Sequence, residues 1–104
     1  MLVILRFRVP DAHRPAFDAA VGHLETHLRA CPGLLSLERG TAVDDEELHA
    51  LVMTWDLPRS WRTAFGGQSG RAAFLPVMTW LLDEPSAYAG PRDDTFNLPR
   101  GASR

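Results

Sequence analysis

Residues 53–65 constrain the fold of this chain more than any other stretch. Met53-Thr54-Trp55 read as the end of a strand, Asp56-Leu57-Pro58 as a tight corner, and residues from Pro58 onward as a helix that starts at once. Proline suits the first helical position, because the N–H it lacks would have no partner there. Trp61 and Phe65 stand four apart and therefore share one helix face, within reach of Trp55 at the strand exit. A strand that turns directly into such a helix brings the helix back onto its own sheet. The corner then holds three large aromatics, which either fill a core or wall a site for a flat apolar ligand.

The rest of the chain supplies what this corner packs against. Residues 2–9 are β-branched and large apolar, a first strand, with Val3, Leu5, Phe7 and Val9 on the expected core face. Leu2, Ile4, Arg6 and Arg8 fall on the other face. Pro10-Asp11 breaks the strand, and a helix is predicted from near Pro15 to about Ala30. Its apolar arc is Phe17, Ala20, Val21, Leu24, Leu28 and Cys31, and Pro32-Gly33 ends it. Residues 34–43 and 48–55 read as a hairpin joined by the acidic turn 44–47. The helix opened by Pro58 is interrupted at Gly66-Gly67-Gln68-Ser69-Gly70. It is expected to resume over 71–82 with Ser69 as its cap and Phe74, Val77, Met78 and Leu81 as its stripe, distorted by Pro76. A short fourth strand is predicted around 86–89. Residues 91–104, rich in Pro, Gly and charge, are expected to form a tail, flexible or packed on a partner subunit.

The element order β-α-β-β-α-β predicts an α+β, ferredoxin-like domain over residues 1–90, a four-stranded antiparallel sheet with its helices on one face. The helices cover one sheet face only. Leu34, Leu35 and Leu37, and Leu51, Val52 and Met53, place apolar residues on both sides of the middle strands. That pattern predicts a homodimer formed sheet to sheet.

Composition excludes several function classes. A net charge of −2 gives no electrostatic footprint for nucleic acid or an anionic membrane. Neither a signal peptide nor a membrane span is predicted, and a single cysteine, Cys31, allows no internal disulfide, so a cytoplasmic protein is expected. All eleven basic residues are Arg, leaving no Lys for a Schiff base or a phosphate loop. His23 and His27 have a metal-compatible spacing, but no third ligand accompanies them, and no metal site is expected. The acidic turn lacks the calcium-loop pattern, no Gly-x-Ser-x-Gly elbow is present, and Cys31 reads as core rather than nucleophile.

In sequence order, Phe7-Arg8-Val9, Phe17, Pro32-Gly33, Leu37-Glu38-Arg39, Trp55-Asp56 and Glu84-Pro85 resemble the antibiotic biosynthesis monooxygenase family over about residues 1–90. The resemblance implies a dimeric α+β barrel with an apolar pocket between each sheet and its own helices. It also implies a choice of chemistries. Haem degraders of the family ligate iron through an Asn on strand one and a His in the second helical region. Here Asn97 is the only Asn and no His follows His49, which disfavours that branch.

The remaining branch is a cofactor-independent monooxygenase acting on a small aromatic, polyketide or quinol substrate with O2. Such a site must hold a flat substrate, exclude water and favour its anion. Phe7, Trp55, Trp61, Phe65, Phe74 and Met78 are the expected pocket walls. Arg6, Arg8, Arg39 or Arg62 are candidates to favour the anion, and His27, His49 or Tyr88 to move a proton. The catalytic set is thus drawn from His27, His49, Tyr88, Arg6 and Arg39, with no cofactor. Trp80, off the apolar stripe, is expected to cover a pocket mouth or meet the partner. The alternative is a non-catalytic dimeric module that binds a small apolar aromatic ligand, since fold does not imply function.

Overall fold

A computed structural model describes residues 1–82 and 86–88, with the backbone alone for Ser86 and Ala87. Strand β1 (Leu2–Arg8) leads through a 3-10 turn (Asp11–His13) into α1 (Arg14–Arg29). The hairpin β2 (Leu34–Ala42) and β3 (Asp45–Trp55) follows, then α2 (Pro58–Gly66), α3 (Gln68–Phe74), a 3-10 helix (Leu75–Trp80) and β4 (Ser86–Tyr88). The antiparallel sheet has the order β2-β3-β1-β4, with β4 pairing Leu2–Ile4 of β1 through three residues. The tail expected over 91–104 lies outside the described residues.

Alternation along the strands decides which face is covered. Val3, Leu5 and Phe7 of β1 and His49, Leu51, Met53 and Trp55 of β3 are buried under α1, whose Phe17, Val21, Leu24 and Leu28 face them. On the opposite sheet face, Leu2, Ile4, Val52 and Thr54 are exposed or half-buried. A register shift between Leu34 and Ser36 bulges Leu35 out of the ladder and leaves it exposed.

Three local expectations are corrected. The hairpin turn is two residues, Val43-Asp44, rather than 44–47, because β3 already begins at Asp45 opposite Ala42. What draws the acidic residues into the ladder is Arg8 of β1, 3.1 Å from Asp45 and 3.9 Å from Glu47. The Glu47 N–H donates to Asp45 at 3.0 Å, and that bond, ahead of Arg8, holds the Asp45 carboxyl below the usual carboxylate range.

The second helical region resumes at Gln68, and Gly67 rather than Ser69 stands at the cap, its carbonyl accepting from Arg71 N–H at 2.9 Å. One extended residue is enough to break the helix there. Gly70 must then pass close to α2: a Cβ at this position would lie 2.1 Å from the Ala64 carbonyl oxygen.

The expected helix over 71–82 is also shorter than predicted. It changes at Leu75 into a 3-10 helix, because Pro76 cannot donate to the preceding turn. With three residues per turn, Val77 and Trp80 face inward while Leu75 and Met78 face out. Met78 is accordingly 49% exposed and leaves the stripe assigned to it. Leu81 then bridges Phe7, and Leu82 N–H donates to the Arg6 carbonyl at 2.9 Å, tying this segment to the edge of β1.

The aromatic corner is fixed by its backbone. Trp55 N–H donates to the Met1 carbonyl at 2.8 Å, and the Met1 ammonium to the Trp55 carbonyl at 2.9 Å. Asp56 N–H donates to Gly33, which sits at φ 96°, where a side chain would strike Asp56 and Ser60. Among the described residues, no helix is long and apolar enough to cross a membrane.

Candidate functional site

The aromatics predicted to share one pocket divide into two groups. At the corner, Trp61 lies 6.0 Å from Trp55 and stacks on Phe65 at 4.4 Å, and Phe65 meets the edge of Phe74 at 4.2 Å. Trp55, Trp61 and Phe74 are buried and Phe65 is half-buried. The second group lies where α1 begins. Phe17 stands at its centre, 5.2 Å from Phe7 and 5.2 Å from His49, with Trp80 edge-on at 5.5 Å. Trp80 Nε1–H donates to His13 Nδ1 at 3.1 Å.

His49 is a buried polar side chain on the helix-side face of the sheet, 2% exposed. The register sets it between Phe7 on β1 and Thr41 on β2. Its Nδ1 is 3.1 Å from Thr41 Oγ1, and its Nε2 is buried with no partner. Burial, reinforced by the charges of Arg14 and Arg39 against those of Asp18 and Asp45, pushes its pKa below the ordinary histidine value. The ring is therefore held neutral. With Nδ1–H donating to the Thr41 hydroxyl, Nε2 carries a bare lone pair. That tautomer leaves an unmet acceptor rather than an unmet donor, the less costly of the two in a buried site. A neutral imidazole with a free nitrogen beside flat rings can accept a proton from an acidic hydroxyl or carbon acid.

The other sequence candidates stand elsewhere. His27 Nε2–H donates to the Ala64 carbonyl at 3.0 Å, and the Cys31 thiol, its pKa raised by burial, donates to the His27 carbonyl at 3.3 Å. Both border a surface pocket of about 430 Å³ that also includes Arg59, Ser60, Thr63 and Gln68. His27 thus ties α1 to α2, distant in register from His49. Arg39 does reach the helix side, but its guanidinium is engaged by Asp18 at 3.1 Å and Glu25 at 3.2 Å. Arg6, Arg8 and Tyr88 lie on the uncovered sheet face, Tyr88 directly opposite Leu2, and Arg62 is exposed on α2. Of the predicted proton-moving and charged groups, His49 alone joins the aromatic layer.

Thr41, Phe17 and His13 are absent from the sequence-based set, and Trp80 enters it only as the cover of a pocket mouth or a partner contact. Thr41 could have been found from hairpin register, which aligns it with His49. Phe17 reads as one core residue among six in a helical arc. The His13–Trp80 pair spans 67 positions and depends on the 3-10 segment, for which Pro76 is the only local signal. Among the described residues there is no group of three or more His, Cys, Asp or Glu arranged to hold a metal ion.

The strand order and the helices packed on one sheet face place the chain in the class of ferredoxin-like α+β proteins. Within that class it has the fold of the antibiotic biosynthesis monooxygenases, as the resemblance in sequence implied. It is similar to SnoaB from Streptomyces nogalater, a cofactor-independent oxygenase, with a TM-score of 0.76 and 13% identity over 88% of this chain and 92% of that one. A protein from Nitrosomonas europaea, proposed to be an antibiotic biosynthesis monooxygenase, gives 0.69 and 17% over 88% and 89%. A similarly described protein from Chloroflexus aurantiacus gives 0.62 and 22% over 86% and 92%. No family model matches the chain, and no curated protein matches it. At these identities the likeness is one of fold.

Proposed function

We propose that the protein is a cofactor-independent monooxygenase of the antibiotic biosynthesis monooxygenase type, acting on a small hydroxylated aromatic such as an anthrone or hydroquinone. The observation that carries this reading is His49, a buried neutral imidazole with an unpartnered Nε2 beside Phe17 and Phe7. The fold likeness to an oxygenase that works without a cofactor supports it.

The chemistry asks the protein for few groups. Nε2 takes a proton from the substrate, and the resulting electron-rich anion passes an electron to O2. For an anthrone, the ring CH2 becomes C=O: one oxygen atom enters the product, and the other leaves as water with the two hydrogens. Both electron pairs come from the substrate. Surrounding rings exclude water, which raises the value of every fixed dipole in the site. Positioned general bases contribute roughly 10²–10⁴-fold. Oxygen uptake by purified protein with a panel of anthrones and hydroquinones tests the proposal. Saturable uptake that falls at least a hundredfold in His49→Leu is expected, and uptake no faster than with heat-killed protein across the panel would refute it.

The working unit in this reading is a homodimer. The uncovered sheet face carries Leu2, Ile4, Val52 and Tyr88, enough apolar surface to favour a second copy. Light scattering at micromolar concentration should give twice the chain mass, and a monomer would rule this part out. A second reading, a binding module without turnover, is favoured by the pocket at His27, whose side chains need no reaction to account for them. Micromolar binding of an aromatic ligand without oxygen uptake would select it.

A further inference from the structure

We infer that Trp80 is a gate over the His49 site, held shut by His13; this rests on the proposed role of His49. Three rings touch Phe17, and they are not held alike. Phe7 and His49 are buried on strands of the sheet, whereas Trp80 is only half-buried on a six-residue 3-10 helix. A ligand reaching His49 from the α1 end must let Phe17 turn aside, and Trp80 is the neighbour that can yield.

The segment that bears Trp80 is built to open locally. Of residues 75–80 only Val77 is buried, while Leu75, Pro76, Met78 and Thr79 are exposed. Its two ends are fixed, at the buried Phe74 and at Leu81–Leu82, which pair with β1. Short 3-10 stretches between fixed ends, with few buried contacts, belong to the low-stability parts of a fold. Opening therefore costs the Val77 contacts, the edge-on Phe17 contact, the backbone hydrogen bonds of the 3-10 turn and one side-chain hydrogen bond.

That side-chain hydrogen bond has a direction. An indole N–H can only donate, so His13 Nδ1 must be the acceptor and must carry no proton. His13 is exposed, and it packs edge-on against Trp80 with ring centroids 6.2 Å apart. The 3-10 helix 75–80 brings no titratable group to it; the charged residues on its own side are Asp11, Arg14 and Asp18, with His49 behind Phe17. Losing that acceptor releases the indole. Access to His49 is thus coupled to an exposed imidazole that takes no part in the proton transfer itself.

Two substitutions test this, one at exposed His13 and one that keeps an aromatic ring at half-buried Trp80. His13→Ala removes the acceptor, and Trp80→Phe keeps a ring on Phe17 but removes the donor. The first readout is the Trp80 indole N–H by NMR, which should exchange with solvent faster in His13→Ala; equal exchange in the two proteins would refute the latch. The second is stopped-flow binding of 2-naphthol, a flat phenol that is stable in air. Association and dissociation should both rise about tenfold in each variant, with the Kd within threefold of the parent and no further gain in the double variant. Binding with unchanged rates would overturn the gate and leave the His49 site standing. If 2-naphthol shifts no His49 ring signal in any of these proteins, the site reading falls and the gate falls with it.

Discussion

Replacing His49 with leucine should separate the reason this residue is present from the forces that hold the fold. The Nε2 atom is buried without a partner, a condition that costs about 1–3 kcal/mol. Leucine fills similar space and carries no polar atom, but gives up the ring contact with Phe17, worth about 0.5–1.5 kcal/mol. Thr41 lies on the exposed edge strand, so its hydroxyl can turn to water when Nδ1 is removed. The balance predicts a variant between about 0.5 kcal/mol less stable and about 2.5 kcal/mol more stable. Urea unfolding at pH 7.5 measures it. Acidification gives a second reading. Because the folded state holds the His49 pKa below its ordinary value, the unfolded chain binds a proton first as the pH falls. The His49 contribution is therefore complete above the unfolded-state pKa and is lost as the pH drops from there towards the folded value. A single proton sets a maximum slope of about 1.4 kcal/mol per pH unit. That component should vanish in His49→Leu. A leucine variant that loses 2 kcal/mol or more, keeps the wild-type pH slope and still consumes oxygen would refute the reasoning.

Glycine-to-alanine changes should have opposite signs at two positions. Gly70→Ala forces a Cβ to within 2.1 Å of the Ala64 carbonyl oxygen and should destabilise by about 1–3 kcal/mol or more. Gly22→Ala, in the middle of α1 with nothing within 4 Å of the new Cβ, should stabilise by about 0.5–1 kcal/mol, and thermal unfolding of both variants checks the pair. Trp61→Ala removes a buried ring stacked on Phe65 and should cost about 3–5 kcal/mol in denaturant unfolding. A loss under 1 kcal/mol would mean that Trp61 faces open space.

What could be read from the chain depended on how local the cause was. The alternation of Val3, Leu5, Phe7 and Val9, the arc from Phe17 to Leu28 and the Trp55–Pro58 corner are each set by neighbours within a few residues, and each stands in the structure as expected. The acidic turn was misread because Arg8, the charge that brings Asp45 and Glu47 into the ladder, is more than thirty residues away. Met78 followed a 3.6-residue pattern until Pro76 tightened the helix to three. His49 was visible as a candidate but not separable from His27 or Tyr88. Strand register determines that it lies opposite Phe7 and Thr41, whereas Tyr88 lies on the other face.

Among the described residues, two buried side-chain polar atoms lack partners, His49 Nε2 and Trp55 Nε1, and both belong to the covered face of β3. They stand six positions apart along the strand, about 20 Å, which is more than one small aromatic can span. A substrate that must be deprotonated can use only one end. Indole Nε1–H donates and cannot accept, so it cannot be the base, whereas the neutral imidazole can. In the proposed reaction the corner that dominates the sequence is therefore scaffold, and the reacting end is the one with His49, Phe17 and Trp80. Trp55→Phe should then relieve an unmet donor, leave stability within about 1 kcal/mol, and leave oxygen uptake within about twofold of the parent protein. A hundredfold loss of uptake in that variant, with the fold intact, would move the site to the corner and away from His49.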